Sequence, residues 1–416
     1  MFDRVAMSSN AVEPDPCHSA EQSSCGLIIS PAALTFGIET GLVPVGESLT
    51  QKLTLQNPQS SDVSVVVFPV VDHASSTKFQ VNVKGVQSFV VKAGAVETVC
   101  LKLKVLYSTK VSFEVRVTMW QFGLMGTKEV RFPFAMDSQP STKLDPADLN
   151  VMEPFGRGGF FSVAKGTYRG KDVAVRILSL PSGQFEESEF INKALIMAET
   201  LHHKAIVDFI GFTRLFSCFT LVTELCKFGS IDEAIANYPN EFTEGLKVKC
   251  LLDVSEAILY LHASGFVHRC LEPANIGVVS LSIDQDVSAK LTDCSVAVDL
   301  NDAGMKEDRF GSAFFLSPEL LAMEEGVPYA PSVDSYAFGM IMFVVFTGLK
   351  PHCDYGDINR CLQAIRRGER PEIPATCNSE IANMIRMCWS NEPSSRPSFD
   401  VIHAFFQQFF DKHFRR

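Results

Sequence analysis

Apolar residues follow two different rhythms along this chain. From Leu27 to about residue 136 they come in short runs rich in Val, Leu, Phe and Thr, with Gly, Pro, Asn and Ser between the runs. Within the runs they alternate with polar neighbours. Val111, Phe113, Val115 and Val117 interleave with Ser112, Glu114, Arg116 and Thr118, and Leu101, Leu103 and Val105 interleave with Lys102 and Lys104. A period of two sends successive side chains to opposite faces, which is the mark of a strand with one face buried. Several such strands separated by turns predict a β-sandwich over residues 26–136. Beyond about residue 225 the rhythm changes, and Leu251, Val254, Ala257, Ile258 and Leu261 fall on one helical stripe. Residues 151 to about 225 are strand-rich, so the second part of the chain reads as a small sheet-based lobe followed by a larger helical one.

Two stretches follow neither rhythm. Residues 1–25 are rich in Ser, Pro, Asp and Glu and poor in large apolar side chains, so burial cannot offset the entropy of ordering them, and they are expected to form a mobile tail. Residues 137–150 hold prolines, aspartates and serines with little apolar content and read as a linker. The most apolar run, Tyr336 to Leu349, contains two glycines and a threonine and predicts a buried helix of a large domain rather than a membrane span.

Composition adds bounds to this picture. A chain of 416 residues, 46% hydrophobic and 20% charged, has room for two or three domains with cores of their own. The formal net charge of −11 and the absence of a basic run argue against nucleic acid as a partner. Twelve cysteines without a Cys-x-x-Cys pair suit free thiols in a reducing compartment, and the cytosol is the expected location. The first ten residues carry charges where a secretory signal needs an apolar core.

The second part carries motifs in a telling order. A glycine-rich turn, Gly156-Arg157-Gly158-Gly159-Phe160-Phe161-Ser162-Val163, precedes Val173-Ala174-Val175-Arg176. Then come Leu221-Val222-Thr223-Glu224, His268-Arg269-Cys270-Leu271-Glu272-Pro273-Ala274-Asn275 and Asp293-Cys294-Ser295. Ser317-Pro318-Glu319, Asp334-Ser335-Tyr336-Ala337-Phe338-Gly339 and Cys388-Trp389, with Arg396-Pro397, close the series. A glycine-rich turn alone is common in hairpins that bind nothing; the order and spacing carry the signal. Residues 151–410 resemble a protein kinase domain, an α+β bilobed fold. The Cys-Trp and Arg-Pro ending is similar to the tyrosine-kinase-like group, while the Leu-x-Pro-Ala-Asn form of the catalytic loop leans to the Ser/Thr side.

The resemblance implies roles for particular residues and exposes departures from them. Gly156 and Gly158 would cover the phosphates, but Phe161 stands in place of the third glycine and is expected to obstruct or reshape the roof. Val163, Ala174, Thr223, Glu224 and Cys226 would hold adenine. Arg176 replaces the strand lysine, and a rigid planar fork is not a compact point charge. Lys193 falls where the partner glutamate belongs, unless the helix register shifts to Glu189 or Glu187. Two unit charges about 4 Å apart repel by roughly 4 kcal/mol at an effective dielectric near 20, so Arg176 and Lys193 should not sit together without an anion between them. After His268 and Arg269, Cys270 takes the place of the base aspartate, and a buried inert thiol is the simpler reading than a reactive nucleophile. Glu272 takes the place of the lysine that meets the transferred phosphate. Asn275 and Asp293 match the magnesium-holding positions; Asp293 either keeps a metal or pairs with Arg176. Cys294 and Ser295 replace the Phe and Gly that follow this aspartate. Glu319 and Arg396 match the family's buried ion pair.

Retained fold with eroded chemistry is the pattern of a pseudokinase, with ATP and magnesium as its candidate ligands. The first part of the chain adds Leu27 to Gly37, Leu53-Thr54-Leu55-Gln56-Asn57-Pro58 and the Val91-Lys92-Ala93-Gly94 turn. These resemble the immunoglobulin-like sandwich of the major sperm protein superfamily, which implies docking of proteins or peptides; a generic β-sandwich spacer is the plainer reading. The expected whole is a two-domain regulator or scaffold. An active Ser/Thr kinase and a structural interaction protein working through the sandwich stand as alternatives.

Overall fold

A computed structural model describes residues 21–22, 26–38, 41–72, 75–121, 126–158, 161–179, 187–294, 298–299, 314–322, 330–352 and 357–415. The chain divides into two units, Met1–Asp145 and Pro146–Arg416. Apart from Glu21 and Gln22, the tail expected over residues 1–25 lies outside the described residues.

The alternating runs of the first unit form strands β1 (Glu21–Gln22), β2 (Ile28–Ser30), β3 (Leu42–Val43), β4 (Ser48–Gln56), β5 (Val63–Val70), β6 (Phe79–Lys84), β7 (Ser88–Val91), β8 (Val96–Val105), β9 (Lys110–Gln121) and β10 (Lys128–Ser138). They make two five-stranded sheets, β1-β2-β4-β8-β6 and β3-β10-β9-β5-β7, antiparallel throughout except where β3 joins β10. This is an almost wholly antiparallel, immunoglobulin-compatible β architecture. The apolar members of each alternation, such as Leu53, Leu55, Val65, Leu103, Val115 and Val117, face inward and share one core. Asn57 is fully buried there, and its amide donates to Val91 O at 3.0 Å and Ser61 O at 2.9 Å, so a polar group taken out of water keeps its hydrogen bonds.

The stretch that composition marks as a linker is tethered. β10 continues to Ser138, Leu144 and Asp145 are buried, and Asp145 pairs with Lys78 at 3.0 Å.

The second unit opens with β11 (Leu149–Gly158), β12 (Phe161–Tyr168), β13 (Lys171–Leu178), helix α1 (Glu187–Thr200), β14 (Phe209–Leu215) and β15 (Cys218–Glu224). The strands form an antiparallel sheet in the order β11-β12-β13-β15-β14. A helical lobe follows, with α2 (Ile231–Asn237), α3 (Glu244–Ala263), the short strands β16 (Phe266–Val267), β17 (Ile276–Val278), β18 (Ala289–Leu291) and β19 (Val298–Asp299), and α4 (Pro318–Ala322), α5 (Ser332–Thr347), α6 (Ile358–Arg366), α7 (Ser379–Cys388) and α8 (Phe399–His413). This is the mixed α+β, bilobed arrangement that the resemblance implies.

All five residues of the predicted stripe on α3 are buried, and Thr243 caps that helix by accepting the Leu246 N–H. The apolar run from Tyr336 lies on α5 in the centre of the lobe, where Tyr336, Phe338 and Ile341 are fully buried. Gly348 ends the helix at φ 69°, a left-handed cap that glycine adopts without steric cost. Among the described residues no helix is long and apolar enough to cross a membrane.

Glu319 and Arg396 join α4 to the segment before α8 by two parallel bonds, Nη1 to Oε1 at 2.5 Å and Nη2 to Oε2 at 2.8 Å. The Arg396 guanidinium is wholly buried; it also donates to Ser390 O and Ser332 O and lies over the Tyr336 ring. Arg396→Ala should therefore lower stability by about 3–5 kcal/mol in urea unfolding, because the partner carboxylate loses its counter-charge. Lys412→Ala, in the exposed pair with Glu380, should cost about 0.5 kcal/mol or less.

Candidate active site

The β11–β12 hairpin sets Gly156 opposite Val163 and Gly158 opposite Phe161. On the next strands Val163, Arg176 and Leu221 are cross-strand neighbours, as are Ala174 and Thr223. An open cleft lies beneath, lined by Val163, Ala174 and Arg176 from the sheet, Glu224, Leu225 and Cys226 from the chain leaving β15, and Asn275, Gly277 and Thr292 from the helical lobe. The Phe161 ring does not line it. That ring is 1% exposed in a cluster with Leu178, Ile191, Ala194, Phe219 and Leu221, so the obstruction expected of it in the roof is not found. Strand alternation delivers the side chain to the apolar space under α1.

The segment leaving β15 is strapped to the helical lobe. Lys290 Nζ on β18 lies 2.6 Å from Glu224 Oε2, and the same carboxylate accepts the Asp208 N–H at 3.3 Å. Backbone bonds from Leu291 N to Ala205 O and from Val207 N to Leu291 O fix residues 205–207 against β18. Neither Lys290 nor Gly277 stood out in the sequence. A Cβ at Gly277 would lie 2.2 Å from Cys226 Sγ, so the cleft floor can close only over a glycine there. The Ser230 and Glu233 pair that caps α2 had a readable signal, the S-x-x-E spacing before an apolar run.

The catalytic loop hangs on Asp334. Its carboxylate accepts the His268 N–H at 2.8 Å and the Arg269 N–H at 2.9 Å, and His262 Nε2 lies 2.8 Å away. Burial works to raise the Asp334 pKa, but the hydrogen bond and charge of His262 and the contacts of His268 outweigh it, so the carboxyl titrates below its ordinary value. Arg269 takes φ 68°, which turns the chain after this anchor. His268 is fully buried, and burial pushes its pKa down.

Cys270 follows, 2% exposed. Burial, then the charges of Asp293 and Glu272, push its thiol well above the ordinary value. A buried thiol shifted in this direction is held toward its protonated form. Asn275 donates its amide to Cys270 O at 2.8 Å. Glu272 is half-buried at the start of the turn Pro273–Asn275.

Arg176 and Asp293 meet. Nη1 and Oδ2 are 3.4 Å apart, with Arg176 7% and Asp293 2% exposed. At an effective dielectric near 20 such a separation corresponds to about 5 kcal/mol of attraction before desolvation is counted. The approach matches one of the two arrangements expected for Asp293. The distance is long for a hydrogen bond, and among the described residues Arg176 Nε and Nη1 have no hydrogen-bond partner. Behind the pair a second pocket is lined by Ala194, Met197, Leu221, Thr223 and Cys294; burial raises the Cys294 thiol to about 12. Lys193 lies on α1, and its side chain, like those of Glu187 and Glu189, falls outside the described residues.

A family model described as protein tyrosine and serine/threonine kinase matches residues 149–406, the region that contains this cleft, loop and ion pair. The chain belongs to that family. Among curated relatives, the probable serine/threonine-protein kinase gdt2 of Dictyostelium discoideum is 26% identical over 392 residues, 92% of this chain and 23% of that protein. Its match therefore extends into the β unit. Serine/threonine-protein kinase STY17 of Arabidopsis thaliana is 25% identical over 64% of this chain and 45% of its own length. A probable LIM domain-containing serine/threonine-protein kinase of Dictyostelium discoideum is 30% identical over 62% of this chain and 39% of its own length. The chain thus spans less than half the length of these three relatives.

Burial distinguishes the thiols in a measurable way. Brief alkylation of the native protein at pH 8 should modify exposed Cys218 and leave Cys270 unmodified, as read by peptide mass spectrometry. Labelling of Cys270 at the rate of Cys218 would show that it is an accessible thiolate.

Proposed function

We propose that this kinase-family chain is a catalytically impaired signalling protein of the tyrosine-kinase-like group, a pseudokinase that works as an allosteric regulator or scaffold in the cytosol. The observation that carries the reading is the buried Cys270 thiol at the position of the family's base carboxylate. General-base assistance contributes roughly 10²–10⁴ in rate, so its loss cripples transfer. Glu272, next in line toward the phosphates, adds a negative charge where the family has a positive one.

The fit of the family's ligands is uneven. Val163, Ala174 and the Glu224 to Cys226 backbone would hold an adenine, and Arg176 Nε and Nη1, which have no hydrogen-bond partner among the described residues, suit phosphate oxygens. ATP, when bound, would supply the phosphoryl group. Magnesium fits less well, because Asp293 already faces the Arg176 guanidinium. The N-terminal unit, read as major-sperm-protein-like, would dock protein or peptide partners.

A second reading, an active Ser/Thr protein kinase, is favoured by the comparisons, since the relatives carry serine/threonine-protein kinase names. Phosphate transfer decides between them. Purified protein with labelled ATP and magnesium should incorporate no phosphate into itself or generic substrates. Robust incorporation abolished by Asp293→Asn would establish the second reading. On the first, Cys270→Asp alone should restore little, and adding Arg176→Lys with Lys193→Glu should exceed the sum of the separate changes, because the lysine and glutamate act as a unit.

A further inference from the structure

The cleft contains a buried cation with spare donors. Arg176 is 7% exposed, it lines both the cleft and the pocket behind it, and its Nε and Nη1 lack hydrogen-bond partners among the described residues. Buried donors of this kind gain from an acceptor, and a phosphate oxygen is the acceptor whose geometry a guanidinium fork fits. Among the described residues that line the cleft, the other charged groups are Glu224, held by Lys290, and Glu233, which accepts the Ser230 N–H.

A divalent cation faces the opposite situation. Its carboxylate in this fold, Asp293, lies 3.4 Å from Arg176 Nη1, so a metal there would sit against a buried positive charge. The Asn275 amide nitrogen is committed to Cys270 O, which leaves one oxygen of that side chain to offer.

The geometry points to a cleft that binds a nucleoside di- or triphosphate without a divalent cation, with Arg176 supplying the positive charge that the metal supplies elsewhere in the family. This rests on the reading of the cleft as a nucleotide site. Magnesium then acts against binding, because in solution it neutralises the phosphate charge that Arg176 requires. Asp293 acts against binding too, since its carboxylate competes with phosphate for the same guanidinium.

Calorimetric titration of the full chain with ADP and with adenosine, in EDTA and in excess magnesium, tests this. In EDTA, ADP should bind roughly tenfold tighter than adenosine, the effect of one charge-assisted hydrogen bond, and magnesium should not tighten it. Asp293→Asn should tighten ADP in EDTA and leave adenosine unchanged. If that variant does not fold, as judged by its melting curve, the wild-type comparison with and without magnesium still decides. Tighter ADP binding in magnesium, lost in Asp293→Asn, overturns the inference and leaves the nucleotide reading standing. Equal affinity for adenosine and ADP in EDTA overturns the role of Arg176. No binding of either ligand under any condition overturns the inference and the nucleotide reading together.

Discussion

A carboxylate taken entirely out of water has to be met by donors, and Asp334 is met by the two backbone N–H groups of His268 and Arg269 and by the His262 ring. The aspartate stands in the first turn of α5, the most deeply buried helix of the lobe, and His262 ends α3. One side chain thus ties the catalytic loop to the two helices that define the core. The position of Cys270, Glu272 and Asn275 follows from that anchor, because the loop turns away from it at Arg269 and closes again at the Pro273–Asn275 turn. The anchor holds the loop whatever residue stands at position 270, because its bonds run to the backbone N–H groups of His268 and Arg269.

The same separation of support from chemistry runs through the unit. Glu319 and Arg396 keep a bidentate buried pair with further carbonyl partners, far from any reacting group. Lys290 and Glu224 with the backbone bonds around Leu291 strap the two lobes along the back of the cleft. By contrast, the charges within the cleft are turned on one another. Arg176 faces Asp293, and the thiol of Cys270 is pushed up by burial and then by the charges of Asp293 and Glu272.

The N-terminal unit is built on other principles. Its two sheets bury the inward members of each alternation, and its few buried polar side chains serve loops: Asn57 holds Val91 and Ser61, and Gln51 accepts the N–H groups of Thr35 and Phe36.

The sequence by itself determined both architectures, since a period of two and a period of 3.6 leave few ways to bury their apolar faces. It also determined the chemical types along the cleft, because ordered motifs place Arg176, Cys270, Glu272, Asn275 and Asp293 in known relation to one another. Only the tertiary structure decided what those residues do to each other. The 3.4 Å approach of Asp293 to Arg176 joins residues more than a hundred positions apart, and no local pattern encodes that distance. The fate of the Phe161 ring was likewise decided by the free volume beneath α1, and the glycine at position 277 by the Cys226 sulfur packed against it. Periodicity is a property of neighbours in the chain, whereas a charge pair, a cavity and a desolvation cost belong to neighbours in space.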